Sequence, residues 1–316
     1  MQKIIANRHL ILRAFGTLLA LILLVYLLSQ QGWNEISAAI RQIPLWRFVL
    51  AIGLMLISRF SIIARWQTLL RSSGVKIQFS KTARITFAGL FSTNFLPTTV
   101  GGDIIRLAGI IQAGFDATTC TASLVVDRLV GMTSMAMAVP FSLPALLAAR
   151  PLIDRTAHAP LFLSTLIVEN WLKNFWRKVS GFFWKVLSAI SLWLKQPIAL
   201  LTAMTWSWLH MLCIFSVQYL LFRGMGENIS IWTIVGLYSL AYFITLIPIS
   251  INGYGLQELS MTLIFSNFGQ VSMNSGLSVA LLFRTLMILA SLPGALFVPD
   301  ILASQKQHAE EVKQNQ

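Results

Sequence analysis

The sequence runs to 316 residues, 56% hydrophobic and only 11% charged, where a typical water-soluble domain carries about 25% charged residues; an ordinary soluble fold is excluded. The formal net charge of +13 does not point to nucleic acid, because the lysines and arginines stand at the ends of apolar runs instead of lining one soluble face. No nucleic-acid partner is expected, and the solvent left for this chain is lipid.

About 20 apolar residues cross ~30 Å of hydrocarbon as a helix. The stretches that reach this length are Leu10–Ser29, Leu45–Ala64, Thr119–Ala149, Pro197–Phe222, Ile231–Ile249 and Leu277–Leu302. Each is a continuous run, unlike the alternating pattern of barrel strands. The expected fold class is therefore all-α: a polytopic transmembrane helical bundle, one membrane domain over 1–303 with a polar tail at 304–316. The first run has no convincing small-residue cleavage site and further spans follow it, so it reads as a retained anchor. Lys3, Arg8 and Arg13 precede it, and Arg65, Arg71, Lys76, Lys81 and Arg84 follow the second run. Both groups are assigned to the cytoplasmic side, with the N-terminus inside and Gln30 to Pro44 outside.

Next along the chain, Phe95 to Arg106 reads FLPTTVGGDIIR, and it has an echo at Leu246 to Glu258, LIPISINGYGLQE. Setting Pro97 on Pro248 brings Val100 onto Ile251 and Gly102 onto Gly253, and a charged helix start follows in both. Pro97 and Pro248 remove a backbone donor, and Gly101, Gly102, Gly253 and Gly255 free the backbone, so a continuous helix is not expected through either passage. Two broken or re-entrant segments in two pseudo-repeated halves are expected instead. Irregular backbone at membrane depth must be buried in protein or line a wet cavity, and paired breaks of this kind mark transporter binding sites. The competing reading is two surface loops between short helices.

Between the breaks, residues 169–195 place Leu172, Phe175, Val179, Phe182, Val186, Ile190 and Trp193 at helical spacing, interspersed with Lys173, Arg177, Lys178, Lys185 and Lys195. This describes an interfacial amphipathic helix in the headgroup plane, serving either topology or recruitment of anionic lipid. Cys120 and Cys213 sit in apolar runs and read as buried small hydrophobes. His210 is alone in a span and reads as packed or hydrogen-bonded. No HExxH, GxSxG or Walker-type loop is present, so no catalytic residue, metal or cofactor is assigned.

Charges inside apolar segments carry more weight, since each is expensive at the bilayer centre, by about 2.5–3.5 kcal/mol on insertion scales. Asp103, Asp127 and Glu258 balance Arg106, Arg128 and Arg284 in number. Asp103 and Arg106, three apart, share a helix face. Asp127 and Arg128 are adjacent and must find partners on other helices. Asp127 and Arg284 are assigned to charge pairing, and Asp103, Arg106 and Glu258, beside the breaks, to function. Arginine's planar fork matches phosphate oxygens, which makes an anionic lipid headgroup the expected guest.

These residues together carry a resemblance. Arg65-Trp66 with Leu69-Leu70 and Gly74, then Asn94, Pro97, Gly101-Gly102-Asp103 and Arg106, then Asp127-Arg128 and Gly131, and finally Pro248, Ser250, Asn252-Gly253, Gly255 and Glu258 resemble the membrane domain of the lysylphosphatidylglycerol synthase/flippase-like family. That family includes the lipid-translocating half of the multiple peptide resistance factor and many stand-alone proteins. The resemblance implies a polytopic protein with re-entrant elements in the bacterial inner membrane. In the best understood branch such a domain carries aminoacylated phosphatidylglycerol between leaflets. The chain lacks that branch's soluble lysyl-transfer domain, and Tyr254 and Gln257 stand where an aliphatic and a basic residue are expected.

The expectation is a flippase-like protein that binds and translocates an anionic or lipid-linked headgroup. Arg106 and Arg128 would hold phosphate, Asp103 and Glu258 would hold a gate or a cationic substituent, and Asn94, Asn252 and Tyr254 would complete the substrate site. Membrane lipids are the expected partners, with a lipid-modifying enzyme as a further candidate. The alternatives are an integral-membrane enzyme or subunit acting on a lipid-linked sugar or polyprenyl phosphate, and a scaffold without transport. The topology makes one prediction: single cysteines at Lys76 and Lys185 label from the same, cytoplasmic side. Labelling from opposite sides overturns the assignment.

Overall fold

The computed structural model describes residues 41, 43–96, 101–148, 193, 195–246, 253–299 and 301. Pro97, Pro248, Asn252, the run Leu10–Ser29, nearly all of the interfacial helix at 169–195 and the tail at 304–316 lie outside the described residues. The described chain is helical throughout. Helix α1 spans Leu45–Ser72, α2 Phe79–Thr93, α3 Gly101–Gln112 and α4 Ala117–Ala136. A 3-10 turn at Val139–Ser142 leads into α5, Leu143–Ala148. Then come α6, Pro197–Gly224, α7, Ile231–Thr245, α8, Leu256–Phe268, and α9, Met273–Ser291, which runs on into a 3-10 turn at Leu292–Leu296.

Local chemistry sets these bounds. Asp116 caps α4 by accepting the Thr119 N–H at 2.7 Å, and that bond holds its carboxyl below the usual carboxylate range. Ser230 and Ser272 cap α7 and α9 in the same way. Proline opens α6 at a position where no intrahelical donor is needed. Gly74 and Gly226, just beyond α1 and α6, adopt φ of +88° and +81°, the left-handed backbone that ends a helix.

Four stretches are long and apolar enough to cross a membrane: Leu45–Ser72, Ala117–Ala148, Pro197–Gly224 and Met273–Leu296. They correspond to four of the runs seen in the sequence. The fifth described run, expected as a span to Ile249, forms a helix only to Thr245. Its 15 residues reach about 22 Å at 1.5 Å per residue, short of the hydrocarbon thickness; Pro248 disfavours helix in the residue before it.

On α1 the residues Leu45, Val49, Ile52, Leu56 and Phe60 are exposed at three- and four-residue spacing, while Ser58, Arg59, Ser61, Arg65 and Gln67 are buried. On α6 the exposed stripe is Ile198, Leu201, Trp208 and Leu212, and Ser207 and Gln218 are buried. Apolar outward and polar inward is the arrangement of a helix bathed in lipid. α1 packs along α6, and this pair stands between two apolar cores. One core gathers Ile85, Ile105, Ala108 and Leu124 with Trp66; the other gathers Leu237, Met261, Phe265 and Phe283 with Phe222.

The shorter helices pair off. A Cβ on Gly89 would lie 2.7 Å from the Gly102 carbonyl, and one on Gly109 would lie 3.0 Å from Ile85, so α2 and α3 run antiparallel in close contact. Gly253 lies beside Thr245 and Gly269 beside Leu237, the same relation between α7 and α8. Each pair is joined across one of the two proline-glycine passages. With lengths of 12 to 15 residues, or about 18–22 Å, these helices have the dimensions of the expected re-entrant pairs.

The two glycines aligned in the echo differ in what they require. A Cβ at Gly102 would stand 2.6 Å from the Gly89 carbonyl oxygen, so backbone must move. Gly253 has room, with nothing nearer than 3.9 Å, but holds φ at +70°. Gly102→Val is expected to cost about 1–3 kcal/mol as an overpacked contact, read as a lower melting temperature in detergent. Gly253→Asn should retain more stability than Gly253→Val, since asparagine tolerates the left-handed region; equal losses would show that backbone conformation is not the constraint there.

Candidate functional site

The buried charges assemble where α1, α3, α4 and α6 meet. Arg65 of α1 donates Nε–H to Asp127 Oδ1 of α4 at 2.7 Å and Nη1–H to Ser207 Oγ of α6 at 2.8 Å. Arg106 of α3 donates from both η nitrogens to Asp127 Oδ2 at 3.1 Å, and from Nη1 to Asp103 Oδ1 at 3.1 Å. Its guanidinium lies 4.1 Å from the centre of the Trp66 ring, within cation–π range. Arg128 closes the chain through Nε–H to Asp103 Oδ2. The order is Arg65, Asp127, Arg106, Asp103, Arg128, with Asp127 at 1% exposure as the node.

A second cluster lies on the other hairpin. Arg284 of α9 donates Nε–H to Glu258 Oε1 at 2.6 Å and Nη2–H to the Gly253 carbonyl at 3.2 Å. It also stacks 4.7 Å over the Tyr254 ring. The Tyr254 hydroxyl donates to the Asn94 carbonyl at 3.0 Å, and Asn94 Nδ2 donates to Ser291 Oγ at 2.8 Å. Asn94 follows α2, and Tyr254 precedes α8. Asn94 and Tyr254 are 160 residues apart in sequence, so the second echoed passage meets the first at its leading edge.

Two adjoining cavities lie among these groups. The first, about 280 Å³, is lined by Arg59, Asn94, Tyr238, Gly253, Gln257 and Arg284 among others. The second, about 220 Å³, is lined by Arg65, Asp103, Arg106, Asp127 and Ser207. Arg128, His210 and Tyr242 face both. Among the described residues Arg128 is the most open of the ion-paired side chains, 35% exposed where Arg106 is 8%. Among the described residues no group of three or more His, Cys, Asp and Glu side chains is placed to hold a metal ion.

The shared helix face of Asp103 and Arg106 is present, and Asp127 and Arg128 do find partners on other helices. Asp127 and Arg284 are both ion-paired, the first to Arg65 and Arg106, the second to Glu258. Cys120 and Cys213 are buried. His210 is hydrogen-bonded through Nδ1 to Ser58 Oγ at 2.7 Å. Arg65 requires a correction: assigned from sequence to a cytoplasmic flank, it lies inside α1, which continues to Ser72, and it is 9% exposed. The sequence reading also passed over Arg59, although a lone arginine within the run Leu45–Ala64 was a signal available to it.

Because one carboxylate holds two guanidiniums, Asp127→Asn strands Arg65 and leaves Arg106 with Asp103 alone. Removing one partner of a buried pair costs about 3–5 kcal/mol. The expected result is a large fall in melting temperature in detergent, exceeding that of Asp103→Asn, whose side chain is 15% exposed. Equal melting of Asp127→Asn and the unsubstituted protein would remove the node from the account.

No curated protein matches the chain. The family described as lysylphosphatidylglycerol synthase TM region matches residues 13–294, which takes in both hairpins, both ion clusters and both cavities. With nearly the whole chain matched, the protein belongs to the lysylphosphatidylglycerol synthase transmembrane-region family.

Proposed function

We propose that this protein is a flippase-like carrier of the bacterial inner membrane that takes an anionic lipid headgroup into the paired cavities and passes it between leaflets. The observation that carries the reading is the siting of two adjoining cavities, into whose largely apolar walls Arg59, Arg65, Arg106, Arg128 and Arg284 are set, in a chain whose long helices turn apolar stripes outward. Charges of this kind within membrane-spanning segments mark substrate pathways. Guanidiniums supply the planar donor pairs that phosphate oxygens accept, while acyl chains remain in lipid.

Within this proposal the residues divide their work. The η nitrogens of Arg106 are engaged by Asp103 and Asp127, so Arg106 serves as much to hold α3 against α4 as to meet the headgroup. Arg128, shared by the two cavities and more open, takes the leading part in binding phosphate. Asp103, between Arg106 and Arg128, sets the position of both. Glu258 restrains Arg284, and Tyr254 and Asn94 join the hairpins at the cavity wall; Asn252 belongs to the same passage in sequence.

Reconstitution tests the reading. In liposomes carrying fluorescent phosphatidylglycerol, the protein should accelerate exchange between leaflets above the protein-free rate. Arg128→Gln should slow exchange about tenfold or more, the loss of one charge-assisted pair, while leaving the melting temperature within a few degrees. Exchange at the protein-free rate for phosphatidylglycerol and for every other anionic lipid tested would overturn the proposal.

A further inference from the structure

The first cavity contains a cation that the ion networks do not neutralise. Arg59 of α1 is 5% exposed and lines this cavity. Its Nη2 donates to the Met287 carbonyl at a long 3.3 Å, and its Nε is buried with no hydrogen-bond partner among the described residues. Among the described residues no carboxylate pairs with Arg59, whereas Arg65, Arg106, Arg128 and Arg284 each have one. Burying a charge without a counter-charge is costly. A cation kept in that state is poised for an anion arriving from outside the protein.

The surroundings of Arg59 fit such a guest. Arg284 lines the same cavity from α9; among the described residues its ion-pair partner is Glu258, whose Oε2 is itself buried with no partner among them. No acidic side chain lines this cavity among the described residues, while Tyr238 and Tyr242 bring hydroxyl groups to it. By contrast, the second cavity is lined by both Asp103 and Asp127. A volume of about 280 Å³ holds a phosphate group with its linking atoms and excludes a pair of acyl chains. On α1, Arg59 stands six residues from Arg65, about 9 Å along the axis, so it lies apart from the Asp127 node.

We propose that Arg59 and Arg284 form an anion seat for a phosphate group in the first cavity, with the guest supplying the counter-charge that Arg59 does not receive from the described residues. This deepens the carrier reading and rests on it for the direction from which a lipid phosphate arrives. Arg128 lines the same cavity, so a headgroup met by Arg128 would pass to Arg59 within it.

The test uses the full chain in detergent and reads the shift in melting temperature produced by three probes: dihexanoyl phosphatidylglycerol, inorganic phosphate, and dihexanoylglycerol, which lacks the phosphate. The lipid phosphate should raise the melting temperature and dihexanoylglycerol should not. A comparable shift with inorganic phosphate identifies a seat for free phosphate; a shift with the lipid alone identifies a headgroup seat. Arg59→Gln should weaken the phosphate-bearing probe's binding about tenfold or more, with unliganded melting unchanged or raised because an uncompensated charge is gone. Arg59→Met, matching the stem in volume, serves if the glutamine variant does not fold. Undiminished binding by the substituted protein overturns the seat, as does equal stabilisation by dihexanoylglycerol or no stabilisation of the unsubstituted protein by any probe. A drop in unliganded melting with undiminished binding would make Arg59 a strut to Met287. Leaflet exchange by the unsubstituted protein, combined with undiminished probe binding by Arg59→Gln, sinks the seat and leaves the carrier reading standing; probe binding that needs Arg59, without leaflet exchange, does the reverse.

Discussion

Asp127 is the point on which the arrangement turns. In a bilayer the hydrophobic effect does not draw helices together, because lipid tails are as apolar as leucine, and helix positions must come from packing and polar contacts. A single carboxylate at 1% exposure receives Arg65 from α1 on one oxygen and Arg106 from α3 on the other, and Arg65 reaches on to Ser207 of α6. Four helices are thereby tied at one depth. None of the three charged groups can turn to lipid without a cost of several kcal/mol, so the crossing point is fixed, and the cavities open beside it.

The hairpins follow from a different constraint. α2 with α3, and α7 with α8, are too short to span the bilayer, and a helix that ends within the hydrocarbon leaves peptide groups that need partners. Glycine at the α2–α3 contact lets the backbones approach until the Gly89 and Gly102 positions touch. Tyr254 donating to the Asn94 carbonyl then satisfies one backbone acceptor of the first break with a side chain of the second. Arg284 does the same for Gly253. The second break thus supplies a donor to the edge of the first, and α9 supplies one to the second.

Much of this was legible in the sequence, and what was missed has a physical explanation. Length and hydropathy identified the long helices, and proline with glycine located both breaks, because these features act locally. The partners of Asp127 and Arg128 were invisible because pairing depends on how α1, α3 and α4 cross, and residues 62 and 25 apart in sequence carry no periodic signal. Arg65 was misplaced because a window of about 20 residues ends before a helix of 28 does, and a basic residue near the end of an apolar run looks the same whether it snorkels outward or points into the protein. Arg59 was passed over for the opposite reason: it sits so deep in an apolar run that the hydropathy average absorbed it.

The balance of charge separates the two cavities. Around the second, Asp103 and Asp127 hold Arg65, Arg106 and Arg128 in a lattice in which every carboxylate oxygen is engaged by a guanidinium, so a rearrangement there breaks bonds before it makes new ones. Around the first, among the described residues, Glu258 engages Arg284 through one oxygen, and no carboxylate pairs with Arg59. An incoming anion would find donors there without first displacing an aspartate. In a low-dielectric interior that difference matters more than at a surface, since charge interactions are stronger where water is scarce. The closed network thus suits the role of framework and the open pair that of receiver. A carrier needs both: a part that stays in place while the headgroup moves, and a part whose charge is completed only while the headgroup is there.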